Sequence, residues 1–189
     1  MNRRTFFALT AIALASSLAA CNTTKDPEEA AIKRHEIDAG VDGALNKLYS
    51  STPGAQAQGS KAKAILVFPS VFAAGLVVGG EYGEGALREG GSSTGYYKTS
   101  TASFGLQIGA QSKAVILMFM TQEALDKFRT SNKGWTAGVD GSVAVAKTGA
   151  NGTLDTATTN SPIVGFVLTN SGLMANLSFE GTKVSKLDI

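Results

Sequence analysis

Apolar and polar positions alternate with two different periods along the chain. From Glu28 to Tyr49 the apolar residues Ile37, Val41, Leu45 and Leu48 recur at spacings of four, four and three, one stripe on a helix. Asp26 before Pro27 predicts the N-cap, with Pro at the first helical position and Glu28 and Glu29 in the first turn. Gly40 and Gly43 weaken this helix by about 1 kcal/mol each relative to Ala, and a bend or split is expected there. Ser50 to Gly54 ends it, and a second short helix is expected over Ala55 to Lys61.

Beyond Lys63 the pattern becomes that of strands. Ala64 to Phe68 is a buried-strand run that Pro69 is expected to stop. Gly75–Gly80 and Gly83–Arg88 are glycine-rich strand candidates, and Tyr96-Tyr97 begins another. Phe104, Leu106 and Ile108 alternate cleanly with Gly105, Gln107 and Gly109. Lys113 to Met120 is the strongest strand, followed by a helix near 121–130 with Thr121 as N-cap and Leu125 and Phe128 inward. Val143–Lys147, Ile163–Thr169 and Leu173–Phe179 complete the sheet. Ten of the 22 glycines fall between Gly75 and Gly109. So dense a cluster in strands implies bulges, close backbone approach and strong coiling. The expected fold is α+β: a strongly curved, Gly-rich antiparallel sheet or barrel-like core with an N-terminal helix and one helix near 121–130. The lack of regular helix–strand alternation argues against a doubly wound parallel sheet.

The first twenty residues follow another logic. Arg3 and Arg4 precede an apolar run from Phe6 to Leu14 and small residues through Ala20, the arrangement of a secretory signal. The run is shorter than the about 20 apolar residues of a membrane span. It ends Leu18-Ala19-Ala20-Cys21, which resembles a bacterial lipobox. That resemblance implies cleavage before Cys21, diacylglycerol on its thiol and acylation of the new amine. Asn22, in place of the Asp of inner-membrane retention, implies outer-membrane delivery. The expected division is 1–20 signal peptide, 21–27 lipidated tether and 28–189 folded domain.

Composition gains meaning from that division. The whole chain carries a formal charge of +2, from 17 basic and 15 acidic residues. Removing Arg3 and Arg4 leaves 15 against 15, so the apparent basicity belongs to the signal and gives no support for nucleic-acid binding. One Cys excludes an intrachain disulfide and a Cys-rich zinc site, and one His excludes a two-histidine metal motif. No cofactor is expected.

Several segments together are distinctive: Phe68-Pro69-Ser70, Gly79-Gly80-Glu81-Tyr82-Gly83-Glu84-Gly85, Gly95-Tyr96-Tyr97, Ser103 through Gln111, Gly134-Trp135 and Gly172-Leu173-Met174-Ala175. In this order they resemble the bacterial branch of the SYLF domain family, over about residues 28 to 187. Eukaryotic members of that family include yeast actin-patch proteins and an animal phosphoinositide-binding protein. The resemblance implies a non-enzymatic lipid- or membrane-binding domain. In those relatives binding is attributed to an N-terminal amphipathic helix and basic residues. Here the corresponding helix carries Glu28, Glu29, Glu36, Asp38 and Asp42 against Lys33, Arg34 and Lys47, an acidic balance.

Candidate chemistry is weighed against that expectation. The Gly79–Gly85 run lacks the Gly-Lys-Ser/Thr ending of a phosphate loop. Glu81 and Glu84 fall on opposite faces of a regular strand, and Ser103 is not in a nucleophile elbow. His35, beside Arg34 and Glu36, reads as a solvated helix residue. The chain is therefore expected not to be an enzyme. Lys61, Lys63, Lys113 and Lys183 beside strand ends are candidate head-group contacts. Tyr96, Tyr97 and Trp135 are amphipathic aromatics suited to a membrane interface or to the edge of a core. The expected role is an outer-membrane-anchored lipoprotein binding membrane phospholipid, facing the periplasm or the surface. The rival is a structural cell-envelope protein that binds a protein partner.

Overall fold

A computed structural model describes residues 26–75, 78–104, 111–147, 154, 155, 158, 160–174 and 178–189. Helix α1 spans Pro27–Ser51. Asp26 caps it, its Oδ1 accepting from the Glu28 N–H at 2.9 Å. The helix runs unbroken through Gly40 and Gly43, contrary to the expected bend. Gly40 has a packing reason instead, because a Cβ there would lie 3.0 Å from Pro69 Cγ. Helix α2 (Ala55–Gly59) follows, shorter than expected.

Strands β1 (Ala64–Gly75), β2 (Val78–Glu89), β3 (Ser92–Phe104) and β4 (Gln111–Phe119) precede helix α3 (Gln122–Thr130). Short strands β5 (Trp135–Thr136), β6 (Ala144–Val145), β7 (Ile163–Thr169), β8 (Gly172–Leu173) and β9 (Lys183–Lys186) complete one sheet. Its order is β5-β9-β3-β2-β1-β4-β7-β6, with β8 beside β7. The sheet curls into a half-barrel, the curved α+β architecture expected from the glycine cluster. All pairs between named strands are antiparallel except β6 with β7.

Pro69 does not stop β1. The register shifts between Val67 and Ser70 toward β2, and between Phe68 and Val71 toward β4. A bulge absorbs the missing N–H, and the strand continues. The bulge also changes which residues face which side. Ala64, Leu66 and Phe68 share one core with Val71, an odd number after three even ones. Across the bulge, β2 must present glycine. A Cβ on Gly85 would meet the Val67 carbonyl oxygen at 1.9 Å, so no other residue fits. Of the first glycine-rich run, expected as one segment, Gly75 ends β1, and residues 78–80 continue through 83–88 in the single strand β2.

Between its end near the C-terminus of α1 and the Pro69 bulge, the sheet is buried on both faces. One core gathers Leu66, Phe68, Leu117, Phe119, Leu125, Phe128 and Trp135, with α3 covering it. The other gathers Val67, Ile116, Met118, Val164 and Phe166 beneath Ile37, Val41, Ala44 and Leu48 of α1. Strands β1, β4 and β7 therefore read as continuous apolar runs rather than alternating ones. Each large side chain so buried contributes about 1.5–3 kcal/mol. Helix α3 is capped by Thr121, whose Oγ1 accepts from the Ala124 N–H at 3.2 Å, with Leu125 and Phe128 inward as expected.

Other expectations change in detail. The strand expected over Leu173–Phe179 reduces, among the described residues, to the two-residue β8. Strands β5 and β9 carry too few residues to show a period. Phe104 ends β3, and the alternating residues 105–110 lie outside the described residues.

Gly85→Ala is expected to destabilise the fold by at least about 1–3 kcal/mol in chemical denaturation, because backbone blocks the new methyl. Gly43→Ala, with nothing within 4 Å, is expected to stabilise it by up to about 1 kcal/mol. Equal responses at the two sites would contradict the close-approach account of Gly85.

Candidate functional site

The seven side chains singled out in the sequence do not form one patch. Lys61 and Lys63 sit just before β1, exposed, at the end of the sheet near the C-terminus of α1. Lys113 pairs with Val71 in register, and Lys183 pairs with Ser100, toward the other end of the sheet. Eight residues of β1 separate the levels of Ala64 and Phe72, about 26 Å at 3.3 Å per residue.

Their electrostatic states differ as well. Lys113 Nζ lies 2.8 Å from Glu81 Oε1, and both side chains are largely buried, at 19% and 14% exposure. Its charge is committed inside the protein rather than offered to an anion. Removing either partner would leave a charge poorly solvated. Among the described residues, Lys61, Lys63 and Lys183 form no ion pair. Lys63 lines a groove of about 460 Å³ with Asp42, Leu45, Tyr49, Ile65 and Arg88. Arg88 is held there by Asp42 Oδ1 at 2.7 Å and by the Asp38 and Gly91 carbonyl oxygens at 3.2 and 3.0 Å. Burial pushes the Tyr49 hydroxyl above its ordinary pKa.

The three aromatics also separate. Tyr97 and Trp135 are in the core, at 7% and 1% exposure. Tyr97 packs on Phe128 with ring centroids 5.0 Å apart, and Phe128 and Phe119 meet Trp135 at 5.9 and 6.5 Å. These rings tie α3 and β5 to the sheet and present no face to a bilayer. Tyr96 is on the opposite face, half-buried, where its hydroxyl donates to Asp38 Oδ2 at 2.9 Å. Burial first, and then the bond and charge of Asp38, raise its pKa. Ser93 Oγ donates to Asp38 Oδ1 at 2.6 Å, so Asp38 joins α1 to β3.

Sequence reasoning missed Phe72 and Tyr82. They are cross-strand partners on β1 and β2, 56% and 48% exposed. Tyr82 donates its hydroxyl to Glu84 Oε1 at 2.8 Å, and Glu84 in turn holds Lys33 of α1 at 2.6 Å. Burial, followed by the hydrogen bond and charge of Glu84, pushes Tyr82 up to about 12. The signal that could have revealed the pair is Pro69 itself. A bulge there reverses the facing of every later residue in β1, so Phe72 leaves the core that Phe68 enters.

At the edge of the site, Glu89 accepts from Thr94 and from the Arg129 guanidinium. Burial alone would raise its pKa, but those two donors outweigh it and hold the carboxyl below the ordinary value. The stability this gives is present above the ordinary glutamate pKa and is lost as pH falls through the lowered one. Arg129→Met is expected to cost at most about 1 kcal/mol at neutral pH, since the pair is part-exposed. The difference from wild type should shrink as pH falls below 4.5 in denaturation curves. Trp135, the only Trp, should show blue-shifted emission insensitive to iodide. Vesicles should leave it unchanged, and a vesicle-induced red shift would show that the aromatic core opens.

Residues 100–188 match the family model Ysc84, described as Las17-binding protein actin regulator. A search of curated proteins returned no match. The matched stretch holds the end of β3 and everything through β9. Strands β1 and β2, which precede that stretch entirely, lie between β3 and β4 in the sheet.

Proposed function

The chain carries a Ysc84 (SYLF) domain over residues 100–188, and on that premise we propose that it is a membrane-anchored lipoprotein whose domain binds phospholipid without catalysis. The anchor is Cys21, the one thiol in the chain, at the end of Leu18-Ala19-Ala20. Two or three acyl chains there, at about 0.8 kcal/mol per buried methylene, give lasting attachment. Asn22 directs the lipoprotein to the outer membrane, facing either the periplasm or the surface.

The observation that carries the lipid reading is the division of cations. Lys33, Arg88, Lys113 and Arg129 are spent on internal carboxylates, whereas Lys61, Lys63 and Lys183 are not. Side chains of the second kind can exchange water for lipid phosphate at about 1 kcal/mol per cation. A second reading, binding of a protein partner in the envelope, is favoured by the family description, which names a protein-binding activity.

The mature chain starting at Asn22, without lipid, is expected to cosediment with vesicles containing anionic phospholipid and more weakly with neutral ones. Replacing Lys61, Lys63 and Lys183 by Glu should weaken that binding at least about tenfold. No cosedimentation with either vesicle would overturn lipid binding and favour the partner reading. In cells, Cys21→Ser should abolish incorporation of labelled palmitate.

A further inference from the structure

Beside α1, its face of the sheet carries exposed side chains among the described residues. Register places Ser112 of β4, Phe72 of β1, Tyr82 of β2, Ser100 of β3 and Lys183 of β9 in one row. All five are exposed. Val71 enters the opposite core, so Phe72 projects toward the α1 face, and Tyr82 shares that face with Glu84, which Lys33 grips. The row crosses five strands, about 19 Å at 4.8 Å per strand. Two aromatic rings flanked by hydroxyls, with a cation at one end, have the chemistry of a bilayer's head-group boundary.

The chain preceding α1 leaves from the same end. Lys33 meets Glu84, the partner of Ser70, whereas Asp42 meets Arg88, the partner of Ile65. Helix α1 therefore runs antiparallel to β1, with its N-terminus toward Phe72. Asp26 lies seven residues before Lys33, about 10 Å farther along the helix axis. Cys21 lies five residues before Asp26, at most about 18 Å of extended chain. The Lys33–Glu84–Tyr82 chain of contacts fixes α1 relative to the aromatic pair.

We infer that the row Ser112–Phe72–Tyr82–Ser100–Lys183 is the bilayer-facing contact of the domain, seated among the head groups by the short link to Cys21. The inference rests on the anchoring proposed above. It gives the anchored domain a fixed orientation. Of the three lysines proposed for phosphate, Lys183 meets the anchoring bilayer, and Lys61 and Lys63, about 26 Å farther away, can reach only a second membrane surface.

The test uses the full chain, purified from membranes and reconstituted into phosphatidylethanolamine–phosphatidylglycerol vesicles. Phe72→Cys, Ser100→Cys and Lys61→Cys chains each carry one nitroxide. Lipid on Cys21 blocks its thiol, so the parent chain should take no label and should float with the vesicles. At positions 72 and 100 the nitroxide should favour oxygen over a water-soluble nickel reagent severalfold more than at position 61. The Ser100 chain decides the matter if Phe72→Cys does not fold. Equal water accessibility at all three positions in a floating, label-free-parent preparation would overturn the orientation while leaving the anchor standing. A parent chain that takes label and does not float would remove the anchor and the orientation with it. Protection at positions 72 and 100 that grows with protein-to-lipid ratio would assign the row to a second copy, and so overturn the inference.

Discussion

The structure depends on a close approach of backbones around Pro69. Helix α1 packs tightly on Pro69 through Gly40, where a Cβ would lie 3.0 Å from Pro69 Cγ, and β2 closes over the same bulge only because Gly85 has no side chain. The missing N–H of Pro69 would leave a gap in a regular ladder, and the bulge places that gap where neither neighbour requires the bond. Three elements thus meet at a point that excludes side chains. The curl of the sheet, the seating of the helix and the facing of the rest of β1 follow from it.

That reversal of facing separates the two ends of the sheet. Below the bulge both faces are covered, one by α1 and the other by α3 and the Tyr97–Phe128–Trp135 cluster. Above it, Phe72 and Tyr82 come to the surface on the face that carries the N-terminal part of α1. An exposed aromatic pair on a protein of ordinary composition is therefore a consequence of backbone geometry rather than of local sequence hydrophobicity.

Electrostatics follow the same division. Carboxylates and cations facing each other across α1 and the sheet pair internally: Lys33 with Glu84, Arg88 with Asp42, Lys113 with Glu81. These contacts hold register and orientation more than they add stability, since part-exposed pairs contribute little. Among the described residues, Lys61, Lys63 and Lys183 beside strand ends form no ion pair and keep their charge for outside chemistry. A whole-chain balance of equal acid and base conceals this, because it cannot say which charges are already neutralised.

Much of the fold could be read directly from the residues. The stripe of α1, the caps at Asp26 and Thr121, the apolar runs of β1, β4 and β7, and the curvature announced by the glycine cluster are local or composition-level signals, and local physics sets them. What the sequence left open involves contacts across distance. It offered Tyr97 and Trp135 for a membrane interface or the edge of a core, and Lys113 for head-group contact. Packing by α3 buries the two rings, and Glu81 of β2, reaching across β1, neutralises the lysine. It took Pro69 for an end and Gly40 for a bend, because the space each residue fits is made by another element. Strands β5 and β9 carry too few residues to show a period and exist through the partners they find. The sequence by itself determined the long elements and their caps, and it supplies Cys21 as the site proposed for the lipid. Tertiary structure decided which side chains remain exposed and unpaired, since that depends on what every other element has already covered or paired.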